Sequence, residues 1–231
     1  MSEKPVVFPF GLEDGNTKPF EAQQRLMNTH IYPWVSSLTG NHILDLGSGQ
    51  GIESKLLQQN GALVVSQDAS RSMLKATYFN GDRVCADAGN LPYRDGVFDG
   101  VLLKDSLVFL NPDLRQEMFA ECSRVLVPGG SMLVISEETP MRVWLQSAQN
   151  KLASRDIYYT NDKWKEIYEE CQRQYDFSLY FETNPSDIAE VAATHGFDLR
   201  KKSKYGWNHK IAKENRWDCG RGTFVLDMRK G

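Results

Sequence analysis

Two patterns of apolar positions alternate along this chain. Short apolar runs end in an acid or a glycine, and between them apolar residues recur at helical spacing. Ile43-Leu44-Asp45-Leu46 reads as a buried strand leading into Gly47-Ser48-Gly49-Gln50-Gly51. Ile52, Leu56 and Leu57 then share a helical face, and Asn60-Gly61 stops that helix. Leu63-Val64-Val65-Ser66-Gln67-Asp68 is a second strand, followed by a helix through Met73 and Leu74. A third segment runs through Val84–Ala88, and Phe98–Leu103 is a fourth strand. A helix ends at Val125–Val127, Pro128-Gly129-Gly130 turns the chain, and a fifth strand runs to Ile135. Pro185-Ser186-Asp187 opens another helix, with Ile188, Val191 and Ala192 inward and Gly196 ending it. Leu199–Lys204 and Thr223–Met228 make a final hairpin, its long loop passing Trp207, His209 and Trp217. Strands alternating with helices predict an open α/β sheet with helices on both faces.

Two aromatic regions flank this core. The first holds Phe8, Phe10, Phe20, Tyr32 and Trp34, where Leu26, Met27, Trp34, Val35 and Leu38 suggest two short helices separated by a break near Pro33. In the second, Trp164, Ile167, Tyr168, Cys171 and Tyr175 recur at helical spacing. Such stripes more often pack a core than line a pocket, yet both regions are placed to enclose a flat or apolar acceptor.

The glycine loop carries the chemistry. Alternate glycines let the backbone turn sharply and approach a ligand closely. A dinucleotide fingerprint needs its third glycine where Ile52 stands, and a P-loop needs a Gly-Lys-Ser/Thr triplet that the chain lacks. Asp45 precedes the loop in a D-x-G-x-G-x-G pattern, and Asp68 follows about 20 residues later, where an ionised carboxylate can accept both hydroxyls of a ribose. Taken with Val84-Cys85-Ala86-Asp87-Ala88, Leu91-Pro92-Tyr93, Phe98-Asp99 and Leu126-Val127-Pro128-Gly129-Gly130, this ordered set resembles the class I S-adenosylmethionine-dependent methyltransferases over residues 41–136.

The resemblance implies a doubly wound, seven-stranded, mostly parallel sheet with N-terminal helices and an inserted helical lid. It divides one domain into cap helices (1–40), cofactor core (41–136), lid (137–184) and a C-terminal helix with strands (185–231). It implies S-adenosyl-L-methionine as cofactor, held by Asp45, Gly47, Ser48, Gly49, Gly51, Asp68, Ala69, Met73, Asp87, Ala88 and Lys104, with Asp87 and Ala88 facing the adenine. Standing alone, Asp87 would read as a turn residue capping its own backbone. A sulfonium methyl is already electrophilic, so the protein mainly aligns the reactants and excludes water. Asp105, just past the fourth strand, is the candidate catalytic residue. Its ordinary pKa of about 3.9 makes it a poor base unless burial raises it, and holding an acceptor N–H or the cofactor's ammonium is the blander role. The family often carries histidines where Val108 and Phe109 stand, so no base comes from that turn. His30 and His209 lie in the aromatic flanks; His195, before a helix-ending glycine, reads as structural.

Composition changes little. The 231 residues are 41% hydrophobic and 25% charged, as in an ordinary soluble globular chain. Cys85, Cys122, Cys171 and Cys219 form no C-x-x-C pair; Cys85 and Cys122 read as buried thiols, and a reducing, cytoplasmic setting is expected. No signal peptide, membrane-length apolar run or metal-ligand spacing is evident. Charge is uneven: residues 199–231 hold ten Lys/Arg against three Asp/Glu, although the whole chain is at −3. Arg200, Lys202 and Lys204 alternate and would share one strand face. A solvated face is the favoured reading; the alternative is a docking patch for a phosphate, a carboxylate or an RNA backbone, with nucleic acid the minority view. The expected activity is methyl transfer to an N, O or carboxylate of a small molecule. Its rivals are an RNA or protein acceptor and a non-catalytic scaffold of the same fold. The oligomeric state is left open.

Overall fold

The computed structural model describes residues 24–75, 77–137, 183–205 and 223–231. The expected lid helix through Trp164, the aromatics Phe8, Phe10 and Phe20, and the loop with Trp207, His209 and Trp217 lie outside these residues, as do Cys171 and Cys219.

Within them, a π-helical turn, Met27–Ile31, runs straight into α1, Tyr32–Val35. Then follow β1 (His42–Leu46), α2 (Ile52–Gln59), β2 (Leu63–Asp68), α3 (Arg71–Lys75), β3 (Asp82–Cys85), β4 (Phe98–Lys104), a 3₁₀ turn (Leu107–Phe109), α4 (Pro112–Val125), β5 (Leu126–Glu137), α5 (Pro185–Thr194), β6 (Phe197–Tyr205) and β7 (Thr223–Lys230). The seven strands form one sheet in the order β3-β2-β1-β4-β5-β7-β6. β7 runs antiparallel to both β5 and β6, and the other pairs are parallel. This is the expected doubly wound α/β sheet.

Strand periodicity decides which residue faces which layer. Val101 and Leu103 of β4, with Met132 and Val134 of β5, meet Met118, Phe119 and Cys122 of α4 and Ile188 and Ala192 of α5. Leu102, Leu133 and Ile135 point the other way, into a cluster with Met27, Ile31, Trp34 and Leu57. Each such side chain contributes about 1.5–3 kcal/mol when fully buried. α4 starts where Asn111 caps it, its Oδ1 accepting the Leu114 N–H at 2.8 Å, with Pro112 in the first turn.

Four expectations need correcting. The helix does not break at Pro33. The widened π turn re-registers the hydrogen bonds, with the Tyr32 N–H reaching the Met27 carbonyl, and so absorbs the donor that proline lacks. The Pro128-Gly129-Gly130 turn does not precede the fifth strand but is a bulge inside it, since Phe98 pairs with Leu126 and Gly100 already with Ser131. Cys85 is exposed at the edge-strand tip, whereas Cys122 is buried as expected. Finally, Arg200 is an extra residue in β6, because Leu199 pairs with Met228 and Lys201 with Asp227. The bulge breaks the alternation, so Arg200 lies with Lys201 and not with Lys202: both line a cleft with the N-terminal helix, while Lys202 Nζ donates to Ser186 Oγ of α5 at 3.1 Å.

Trp34 is likewise part of the core and not a wall of a pocket over the strand ends. It is 3% exposed, its Nε1–H donates to Ser131 Oγ at 2.9 Å, and its ring lies where a Cβ on Gly100 would be.

Candidate functional site

The carboxyl ends of β1, β2 and β4 meet around the glycine loop. Gly47, Gly49 and Gly51 have φ of 68°, 53° and 69°, a left-handed backbone that side chains disfavour. At Gly47 there is also no room. A Cβ there would lie 2.2 Å from Ser106 Oγ, and that hydroxyl donates to the Gly47 carbonyl at 2.8 Å. At Gly49 the opposite holds: a Cβ would meet nothing within 4 Å. The middle glycine faces open space, which a ligand's atoms can use.

The loop is held from several sides. The Asp68 carboxylate accepts the Gly49 N–H at 2.8 Å with one oxygen and the Ser70 N–H at 2.7 Å with the other. Further lone pairs of this carboxylate suit a pair of vicinal hydroxyls. The Ser48 N–H donates to the Gln67 carbonyl at 2.9 Å, and the Ser66 hydroxyl to Ser48 Oγ at 2.7 Å. The Gln50 carbonyl accepts from the Tyr78 N–H at 2.8 Å and the Thr77 hydroxyl at 2.9 Å, so the segment after α3 latches the loop's outer turn.

Asp45 lies beneath this loop, 2% exposed, and accepts the Ser54 hydroxyl at 2.5 Å. Burial, reinforced by the nearby Glu53 carboxylate, pushes its carboxyl up to about 7. Its contacts tie α2 to β1.

Lys104 ends β4 with its Nζ 3.2 Å from Glu53 Oε1 and in hydrogen-bond contact with Asp105. Burial pulls its ammonium down, but the Asp105 and Glu53 carboxylates outweigh that and hold it above the usual lysine range. Asp105 itself has φ 56°, the one positive value among the described non-glycine residues. Its side chain is 52% exposed. Its strained backbone aims the side chain outward at the strand end while Ser106 tucks under Gly47.

On the β3 side, Asp87 is exposed and Ala88 half-buried. Asp87 Oδ1 accepts the Gly89 N–H at 2.8 Å, the turn-capping contact a lone aspartate would make. One oxygen is so engaged, which leaves the other for an amino group. The loop that follows is steadied through Arg124, whose guanidinium binds Glu121, Asp95 and the Leu91 and Tyr93 carbonyls. Ala69 is exposed and Met73 half-buried, both beyond the end of β2.

The structure thus brings Gly47, Ser48, Gly49, Gly51, Asp68 and Lys104 together around one loop. Asp45 lies below them, and Asp87 and Ala88 lie past the next strand. Sequence reasoning did not single out Ser106, Ser66, Thr77 or Glu53; a small hydroxyl residue gives no signal until its partner is known. Among the described residues no group of His, Cys, Asp and Glu could hold a metal ion. No helix of the described residues is long and apolar enough to cross a membrane.

Comparison with known proteins agrees with this geometry. A methyltransferase domain family matches residues 44–134. A demethylmenaquinone methyltransferase of Corynebacterium urealyticum is 33% identical over 127 residues, 54% of this chain and 54% of the relative. The chain spans about half the length of the curated relatives it matches. Among solved structures, a protein of Pyrococcus horikoshii OT3 superposes with a TM-score of 0.66 at 18% identity, covering 94% of each chain. The magnesium protoporphyrin IX methyltransferase of Synechocystis PCC 6803, solved with bound S-adenosylmethionine, gives 0.60 at 15% identity, covering 98% of this chain and 88% of that one. At these identities the structural likeness speaks for the fold.

Proposed function

We propose that this chain is a class I S-adenosylmethionine-dependent methyltransferase and that it transfers the methyl group of that cofactor to an N, O or carboxylate of a small-molecule acceptor. The observation that carries the reading is the loop after β1. It has an open left-handed glycine at Gly49 whose amide is fixed by Asp68, the acid assigned in this reading to the ribose. Bound there, the cofactor supplies an electrophilic sulfonium methyl. Gly47, Ser48, Gly49 and Gly51 would pass their backbone around its amino-acid part. Asp68 would accept the ribose hydroxyls beside Ala69 and Met73, and Asp87 and Ala88 would face the adenine. Lys104 and Asp105 close the β4 side, where an acceptor has to arrive. Asp45 acts from below, through Ser54, on the placement of α2. The protein's contribution is alignment and exclusion of water.

A small acceptor fits better than RNA. The excess of positive charge after residue 199 is the one feature that favours a nucleic acid. Yet much of it serves the fold: Arg229 donates to the Gly129 carbonyl at 3.1 Å, Lys230 to the Leu126 carbonyl at 2.9 Å, and Lys202 to Ser186. The matched relatives named for demethylmenaquinone also point to a small acceptor. Calorimetry tests the cofactor half of the proposal. S-adenosylhomocysteine should bind with a saturable heat and raise the melting temperature by mass action, whereas NAD should do neither. Equal binding of NAD would remove the assignment.

A further inference from the structure

A second cleft lies away from the glycine loop, on the sheet face that carries the N-terminal helix. It has a volume of about 140 Å³ and is lined by Thr29, His30, Pro33, Trp34, Ser37, Leu133, Arg200, Lys201, Val225 and Asp227. Its floor is β5 and β7, two and three strands across the sheet from β1, about 10 and 14 Å at the usual strand spacing. It opens against a sheet face and not at the carboxyl ends of the strands, so it is not a lobe of the methyl-donor site.

The bulge in β6 makes this cleft what it is. In an unbroken strand, consecutive residues point to opposite faces, and only one of Arg200 and Lys201 could reach it. Lys201 pairs with Asp227 and Arg200 is the unpaired extra residue, and both cations line the cleft. Among the described residues of the lining Asp227 is the one carboxylate, and it is already engaged, its Oδ1 accepting the Ser131 hydroxyl at 3.1 Å. Burial, and next the Lys201 charge, hold the His30 imidazole below its usual pKa, so near neutral pH the lining carries two cations against one carboxylate. Trp34, Leu133 and Val225, each no more than 3% exposed, close the floor beneath the two cations.

We propose that this cleft is an anion-binding site. A small ligand would place a phosphate or carboxylate between Arg200 and Lys201. Arg offers a planar fork for two oxygens, and Lys a point charge beside it. The Asp227 carboxylate keeps the anion on the β6 side of the cleft. The inference does not depend on the methyl-transfer reading, since none of its residues touches the glycine loop.

His30 is a built-in reporter. In the full chain, its ring Cε1–H resonance is assigned by His30→Gln and followed by NMR while inorganic phosphate or butyrate is added at fixed ionic strength. A saturable shift and a rise in the His30 pKa are expected, because an anion beside Lys201 offsets the charge that disfavours imidazolium. Arg200→Gln with Lys201→Gln should weaken the apparent Kd at least about tenfold, and Lys201→Gln alone by an intermediate amount. Both positions are exposed, and undiminished binding of S-adenosylhomocysteine in the same samples would show that the variants are folded. Saturation by phosphate only assigns a phosphate-bearing ligand, by butyrate only an apolar carboxylate, and by both either source. A linear, unsaturated response to each anion, or equal Kd values in the wild type and the double variant, overturns the proposal.

Discussion

The Gly49 amide donates to the Asp68 carboxylate at 2.8 Å, joining the middle glycine of the loop to the acid that ends β2. The same carboxylate shapes the loop and, in the proposed reading, would receive the ribose. Asp68→Ala should cost about 1.5–3 kcal/mol of S-adenosylhomocysteine binding, or about ten- to a hundredfold in Kd, by calorimetry. Wild-type affinity in this variant would mean that a different acid receives the ribose.

Gly47 and Gly49 should respond differently to alanine. Each substitution meets the cost of a left-handed backbone, about 1–2 kcal/mol. Gly47→Ala adds a collision with Ser106, whereas Gly49→Ala enters open space. Urea unfolding should therefore show Gly47→Ala to be the less stable of the two. Gly49→Ala should stay well folded and still lose cofactor binding, because its methyl occupies the ligand's space. Cofactor affinity retained by Gly49→Ala would show that the ligand lies elsewhere.

The buried Asp45 gives a pH signature. Its native pKa, about 7, lies above the unfolded value, so the folded chain binds the extra proton between the two. Stability from this group is fully present below the unfolded pKa of about 3.9 and is lost as pH rises through about 7. Asp45→Asn keeps an acceptor for Ser54 and removes the titration. The melting temperature of the wild type relative to Asp45→Asn should fall from pH 5 to pH 8. A difference independent of pH over that range would contradict a protonated native Asp45.

Asp105 separates strain from function. Glycine at this position accepts φ 56° freely, so Asp105→Gly should gain up to about 1 kcal/mol of stability less whatever the contact to Lys104 contributes. If the carboxylate guides the acceptor, kcat/KM falls while S-adenosylhomocysteine affinity is unchanged. Unaltered kcat/KM would remove Asp105 from the site.

The core of the fold was legible because its signals are local. Strand periodicity gives the two faces of β4 and β5, and the glycine spacing gives the loop after β1. The acids at positions 45 and 68 mark strand ends because ligand sites gather there. What stayed hidden depends on partners distant in sequence. Ser106 reaches back to Gly47 and Thr77 to Gln50, and nothing at either position announces its partner. The bulge at Arg200 is set by pairing with β7, and periodicity within β6 alone cannot reveal it. Proline at position 33 reads as a helix break in sequence, whereas the π turn before it lets the helix continue. Trp34 reads as a wall of the acceptor pocket over the strand ends until Gly100 and Ser131 are seen beneath it.

Methyl transfer is tested most directly by following the methyl group itself. The full chain is incubated with S-adenosylmethionine labelled on that methyl and with cell extract. Samples are compared before and after nuclease treatment and passage through a small-cutoff filter. Label should appear in a nuclease-resistant fraction that passes the filter, and should vanish with Asp68→Ala. Label retained with macromolecules and lost to nuclease would contradict a small-molecule acceptor, and no transfer from any fraction by a chain that binds S-adenosylhomocysteine would contradict methyl transfer altogether.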